Sequence, residues 1–260
     1  ERALTYAIQG YRYAEENRSS ILKQRDGFET YANSFKNLMD VLLYRKDYKE
    51  ALNTGMKLLE AINREGVSIN DYDEYYAVIG NIGLIYNRME NYEEALKYFR
   101  ESLKIGKDDP LKTIFYGRIL LNIGNCLINL GNEEDGLRAY YEGLGLLKQE
   151  IEMPSVAYHQ PFNDIGAYYE SQRDYKRALL NYDSALNNAL PNNKNAWYEF
   201  PSDTTQDLSL DQLSTVAYKG ALFDKILIDS LKREDLYRYG LNYADKIHNI
   251  LLNRRQEFEA

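Results

Sequence analysis

Apolar and small residues recur every three to four positions along most of this chain, with polar residues set between them. In ILLNIGNCL, residues 119–127, Leu120, Ile123, Gly124 and Leu127 fall on one stripe of a helix. The words NIGLIY at 81–86 and DIGAYY at 164–169 have the same form, so Gly83, Gly124 and Gly166 recur at intervals of 41 and 42 residues. A second helical word follows each at a constant offset: NYEEALKYFRES from 91, NEEDGLRAYYEG from 132 and DYKRALLNYDSA from 174. Each holds a small residue (Ala95, Gly136, Ala178), then an aromatic four places on (Phe99, Tyr140, Tyr182), then a small residue again (Ser102, Gly143, Ala185). Asn91, Asn132 and Asp174 precede these words where a side-chain oxygen would cap the free N–H groups of a helix, and Asp47 stands likewise before an earlier, weaker copy. In that copy Met39 occupies the glycine position and Gly55 the aromatic one.

The pattern predicts an all-α chain of helical hairpins, each unable to bury its apolar face alone and therefore stacked on its neighbours. It divides as a half repeat and linker over 1–31, repeats over 32–75, 76–116, 117–158 and 159–192, a long loop over 193–209, and a degenerate fifth repeat with a C-terminal helix over 210–260. The opening half copy, with Ala3, Ala7 and Gly10, leads us to expect further protein upstream, and the charged helix LLNRRQEFEA suggests a connection beyond it. In the fifth unit Val216, Gly220 and Phe223 supply the first helix, and Gly240, Ala244 and Ile247 the second.

The register resembles the tetratricopeptide repeat. Large, small and aromatic positions of that family are matched by Ile79, Ile82, Gly83, Tyr86, Ala95 and Phe99, by Phe162, Ile165, Gly166, Tyr169, Ala178, Tyr182 and Ala185, and less fully by Leu120, Ile123, Gly124, Leu127, Gly136 and Tyr140. The family's usual period is about 34 residues. The longer period here is similar to that of bacterial sensor and regulator proteins, including peptide-pheromone receptors, and the surplus can extend both helices of a unit by about one turn. The resemblance implies a solenoid of about eleven helices whose concave groove holds a peptide or protein partner.

Carried over residue by residue, the groove positions are Asn33, Lys36, Asn37, Asp40 and Tyr44, then Asn81, Asn87 and Arg88, then Arg118, Asn122, Asn125 and Asn129, then Gln160, Asn163, Asp164 and Glu170. The position two before the glycine is Asn37, Asn81, Asn122 and Asp164 in turn. Carboxamides there suit an extended peptide, because each donates to a C=O and accepts from an N–H without requiring a particular side chain; they equally suit bonds to neighbouring helices or to water. Lys36, Asn81 and Arg118 also fall on three positions of the family's carboxylate clamp, but Asp40 and Asn122 break it. Trp197, Tyr198 and Phe200 form an aromatic cluster in the long loop, which either pins the loop to the helices or caps a ligand site.

Composition narrows the function. The formal net charge is −8 and no run of Lys or Arg interrupts the mixture, which argues against nucleic acid as a partner of this region. The one cysteine, Cys126, lies on an apolar stripe and reads as core. His159 and His248 are far apart and without Cys companions, so no metal site is expected, and no cofactor. No apolar run reaches the ~18 residues of a membrane span. With no Gly-rich phosphate loop, no G-x-S-x-G and no H-E-x-x-H, no catalytic residues are assigned. The expected role is a non-catalytic peptide- or protein-binding module, the sensing or scaffolding region of a larger bacterial signalling or regulatory protein. A scaffold for a folded partner on the convex face, or a pheromone-type cytoplasmic regulator without its DNA-binding domain, is the alternative. The sequence does not separate a periplasmic from a cytoplasmic location, and it leaves the oligomeric state open.

Overall fold

Helical spacing in the sequence becomes helix throughout the computed structural model, which describes residues 2–24, 26–66, 75–105, 113–190, 210–222 and 233–259. Among these residues there are twelve α-helices and no strand: α1 (Arg2–Glu16), α2 (Arg18–Ile21), α3 (Gly27–Tyr44), α4 (Tyr48–Glu65), α5 (Tyr75–Arg88), α6 (Tyr92–Ile105), α7 (Thr113–Asn129), α8 (Glu133–Glu150), α9 (His159–Ser171), α10 (Tyr175–Ala189), α11 (Leu210–Ala221) and α12 (Arg233–Glu259). The helix beyond the expected eleven is α2, a single turn within the stretch read as linker. The aromatic cluster Trp197, Tyr198 and Phe200 lies outside the described residues. Two compact units are formed, Glu1–Leu147 and Lys148–Ala260.

In the first unit α3/α4, α5/α6 and α7/α8 are hairpins closed by the same turn. Lys46, Glu90 and Gly131 each take a left-handed conformation, with φ of 64°, 61° and 81°. The N–H one residue further on reaches back into the first helix, from Asp47 to Leu42, Asn91 to Tyr86 and Asn132 to Leu127, satisfying carbonyls the helix leaves free. Arg173 repeats the turn in the second unit, with φ of 59°. Glycine is the residue this conformation favours, yet three of the four positions carry a side chain, which costs about 1 kcal/mol each. Glu90→Gly is therefore expected to raise the thermal midpoint slightly, by about 0.5–1 kcal/mol of stability, and a lowered midpoint would refute the shared-turn description.

The caps divide. Asp174 accepts from the Arg177 N–H at 3.1 Å and Asn91 from the Glu94 N–H at 3.4 Å, as expected. Asp47 does not cap α4: its carboxylate is drawn 3.1 Å from Nε of Arg45 instead. Nor is the surplus length spent evenly. Helices α3 and α4 reach 18 residues each and α8 likewise. After α8 the chain leaves the helix, makes a 3-10 turn at Val156–Tyr158 and starts α9 only at His159.

Each hairpin is zipped by a small residue facing a large one. A Cβ on Gly83 would stand 2.8 Å from the Phe99 ring, one on Gly124 2.8 Å from both the Gly136 carbonyl and the Tyr140 ring, and one on Gly166 2.7 Å from Tyr182. In α3/α4 the sizes are exchanged: Met39 fills the glycine position and Gly55 the aromatic one, with Met39 Cε 3.1 Å from where a Gly55 Cβ would be. The volume is conserved while its owner changes, which is what close packing asks for. The same rule corrects the register of the last unit. It is Tyr243, fully buried, that meets Gly220, while Ala244 is exposed; Gly240 does face the Gly220 carbonyl as a small residue should.

Candidate functional site

The first helices of the first unit present the residues that their own hairpins do not use. On α3, Lys36 donates to Asn33 Oδ1 at 3.2 Å; burial pushes its ammonium below the usual value, and Asp40 and Glu29 oppose that. Asp40 is raised by burial and lowered by Lys36. Asn37 is exposed and Tyr44 is 91% exposed, an unusual position for so large an aromatic side chain. On α5, Asn81 and Asn87 are half-buried and Arg88 is exposed; on α7, Arg118 and Asn129 are exposed, and Asn122 and Asn125 half-buried.

Hydrogen bonding separates these residues. The carboxamides of Asn37, Asn81 and Asn122 have no protein partner among the described residues. Asn129, by contrast, donates to the Asn125 carbonyl at 2.8 Å, a local bond within its own helix. Arg88 and Arg118 make no ion pair among the described residues, whereas Arg138 is held by Glu134 and Asp135 one turn before it.

Helices α5 and α7 run side by side and parallel. Tyr76 packs on Phe115 and Tyr116, with ring centroids 4.5 and 6.4 Å away, and a Cβ on Gly80 would lie 2.9 Å from Ile119 and from Phe115. Their open stripes therefore lie next to each other, Asn81 beside Arg118 and Asn122.

In the second unit the corresponding positions are spoken for. Thr215 of α11 donates to Asn163 Oδ1 at 2.7 Å and lies 3.1 Å from His159 Nε2. A threonine hydroxyl has one proton, so the histidine nitrogen is the donor in that second bond. Gln160 donates to Asp164 at 2.6 Å, and Tyr182 to Glu170 at 2.9 Å. Asn163 thus bonds a neighbouring helix, the alternative that the sequence left open for it.

Sequence reasoning missed Lys219. It is 2% exposed and donates to Asp183 Oδ1 at 2.7 Å, fastening α11 to α10. Burial pushes its ammonium below the usual value, against the pull of Asp183. The available signal was a lysine inside the apolar stripe that runs from Val216 to Gly220.

Cys126 is fully buried and its thiol is pushed up to about 12 by burial, an unreactive state. Among the described residues no group of His, Cys, Asp and Glu could hold a metal ion, and no helix is long and apolar enough to cross a membrane.

Residues 77–109 match the family model described as Tetratricopeptide repeat. Comparison with curated protein sequences gives no significant match. Among solved structures, BtubC (BKLC) from P. vanneervenii is similar over 98% of this chain and 91% of its own, with a TM-score of 0.70 at 18% identity. The apo form of the quorum sensor NprR from B. thuringiensis is similar over 99% of this chain and 70% of its own, with a TM-score of 0.62 at 15% identity. NprR in complex with its cognate peptide NprX gives 0.57 at 15% identity, over 98% and 73%. The nearly identical TPR-like repeats of a Podosopora anserina kinesin light chain give 0.58 at 8% identity, over 86% and 96%. At these identities the likeness is one of fold.

Proposed function

We propose, the chain being a tetratricopeptide-like helical-repeat protein, that it is a non-catalytic module holding an extended peptide or partner segment along the open stripe of α3, α5 and α7. In this reading it serves as the sensing or scaffolding region of a larger bacterial signalling or regulatory protein. The observation that carries the proposal is the set Asn37, Asn81 and Asn122: three carboxamides at one register position, none with a protein partner among the described residues. Each offers one acceptor and two donors to a peptide backbone. Packed about 9 Å apart, the parallel helices α5 and α7 present one carboxamide for about every three residues of extended chain. The similarity in fold to NprR, whose structure is known with its cognate peptide NprX, supports the reading.

The test is selection from a random peptide display library, followed by calorimetric titration of a selected peptide. Because the two side chains have no partner among the described residues and Ala is the better helix former, Asn81→Ala with Asn122→Ala is expected not to lower the thermal midpoint. Loss of two hydrogen bonds at about 1 kcal/mol each weakens binding about 30-fold. A library that yields no binder, or a binder indifferent to the double substitution, contradicts the proposal.

A further inference from the structure

We propose that the bound peptide is acidic, with Arg88 and Arg118 receiving two of its carboxylates about five residues apart; this rests on the peptide-binding reading above. Among the described residues, α5 and α7 are the only helices longer than one turn that contain no Asp or Glu. Each carries a single cation, Arg88 and Arg118, in a chain whose formal net charge is −8. Their hairpin partners are the opposite: α6 carries three acidic residues and α8 five. Acidic residues are therefore absent from the two adjacent helices that carry Asn81 and Asn122, whereas α3, which carries Asn37, holds Glu29 and Asp40. Acidic residues are plentiful on the helices behind.

Both arginines lie on those stripes. Arg88 comes seven residues after Asn81 and Arg118 four before Asn122, spacings that keep one face of a helix. Each is exposed and without an ion pair among the described residues, so an incoming carboxylate displaces no acid of that set.

The parallel packing fixes their separation. The contacts Tyr76 to Phe115 and Gly80 to Ile119 share an offset of 39, which sets Arg88 level with Leu127, nine residues along α7 from Arg118. That is about 14 Å along the axis and about 9 Å across, a diagonal of about 16 Å, or about five residues of extended chain. Asn81, level with Leu120, and Asn122 both fall between the two arginines. A peptide crossing from one cation to the other thus passes both carboxamides, its backbone held in the middle and its charges at the ends. Guanidinium groups suit this task because they meet a carboxylate with two parallel N–H donors.

The experiment is a random dodecapeptide selection at low ionic strength against the protein and against its Arg88→Gln, Arg118→Gln variant, whose thermal midpoint should match. The protein should enrich Asp and Glu at two positions about five apart. A selected peptide should bind about tenfold tighter than its Asn/Gln counterpart, and lose that advantage in high salt. The double-Gln variant should enrich peptides without the acidic bias, and the charge-keeping Arg88→Lys, Arg118→Lys variant should regain it. Enrichment without acidic bias, or a bias that the Gln variant retains, overturns this inference while peptide binding stands. No enrichment on any version overturns both.

Discussion

Asp183→Ala is expected to destabilise the second unit by about 3 kcal/mol or more, and Lys219→Met by much less, although the two substitutions remove the same ion pair. Lys219 is 2% exposed and its ammonium donates to Asp183, so deleting the carboxylate strands a charge that water cannot reach. Deleting the lysine instead leaves Asp183, whose side chain is 26% exposed and also accepts from Asn187, with solvent and a local partner. The pH dependence has a fixed sign. Lys219 titrates lower in the folded chain than in the unfolded one, so the folded state binds fewer protons and this group costs stability below its folded pKa. The cost is relieved as pH rises through the folded value toward the ordinary one. The penalty of Asp183→Ala should therefore be largest near neutrality and shrink in alkaline solution. Urea titrations of both variants at two pH values measure this, and equal losses for the two would show that Lys219 is not stranded by loss of Asp183.

Glycine substitutions should then split by sign. Gly124→Ala places a methyl 2.8 Å from the Gly136 carbonyl oxygen and from the Tyr140 ring. A ring can turn, but a backbone oxygen moves only if α7 and α8 part, so the overpacking cost of about 3 kcal/mol exceeds the gain of about 1 kcal/mol in helix propensity. Gly145→Ala lies in the same hairpin with nothing within 4 Å of the new methyl and should stabilise by about 0.5–1 kcal/mol. Thermal midpoints are expected to fall for the first and rise for the second. A shift of the same sign in both would mean that the seam is not close-packed.

These pairs also show what was legible in the sequence. The hairpins could be read because the small residue of one helix and the aromatic of the next recur together, and the register follows from that coupling. It misled where a fixed spacing replaced the coupling: Ala244 stands four places after Gly240, but Gly220 needs an aromatic opposite it, and Tyr243 supplies one. Asp47 had the residue type of a cap, but Arg45 is two residues away and competes for its carboxylate. In the candidate site, periodicity gives the face on which Asn163 lies and says nothing of what covers it. Its partner Thr215 is 52 residues further on, beyond the long loop, so no local signal marks the bond. Asn37, Asn81 and Asn122 occupy the equivalent stripe in the first unit and remain unpaired among the described residues.

Photo-crosslinking decides most directly whether that stripe is where a peptide lies. A benzophenone side chain placed at Asn122, on the open face of α7, and in a separate variant at Glu101, exposed on α6, is irradiated with a library-selected peptide. Capture from position 122 and none from 101 is the predicted result; capture from 101 with none from 122 would place the ligand on the second helices and contradict it.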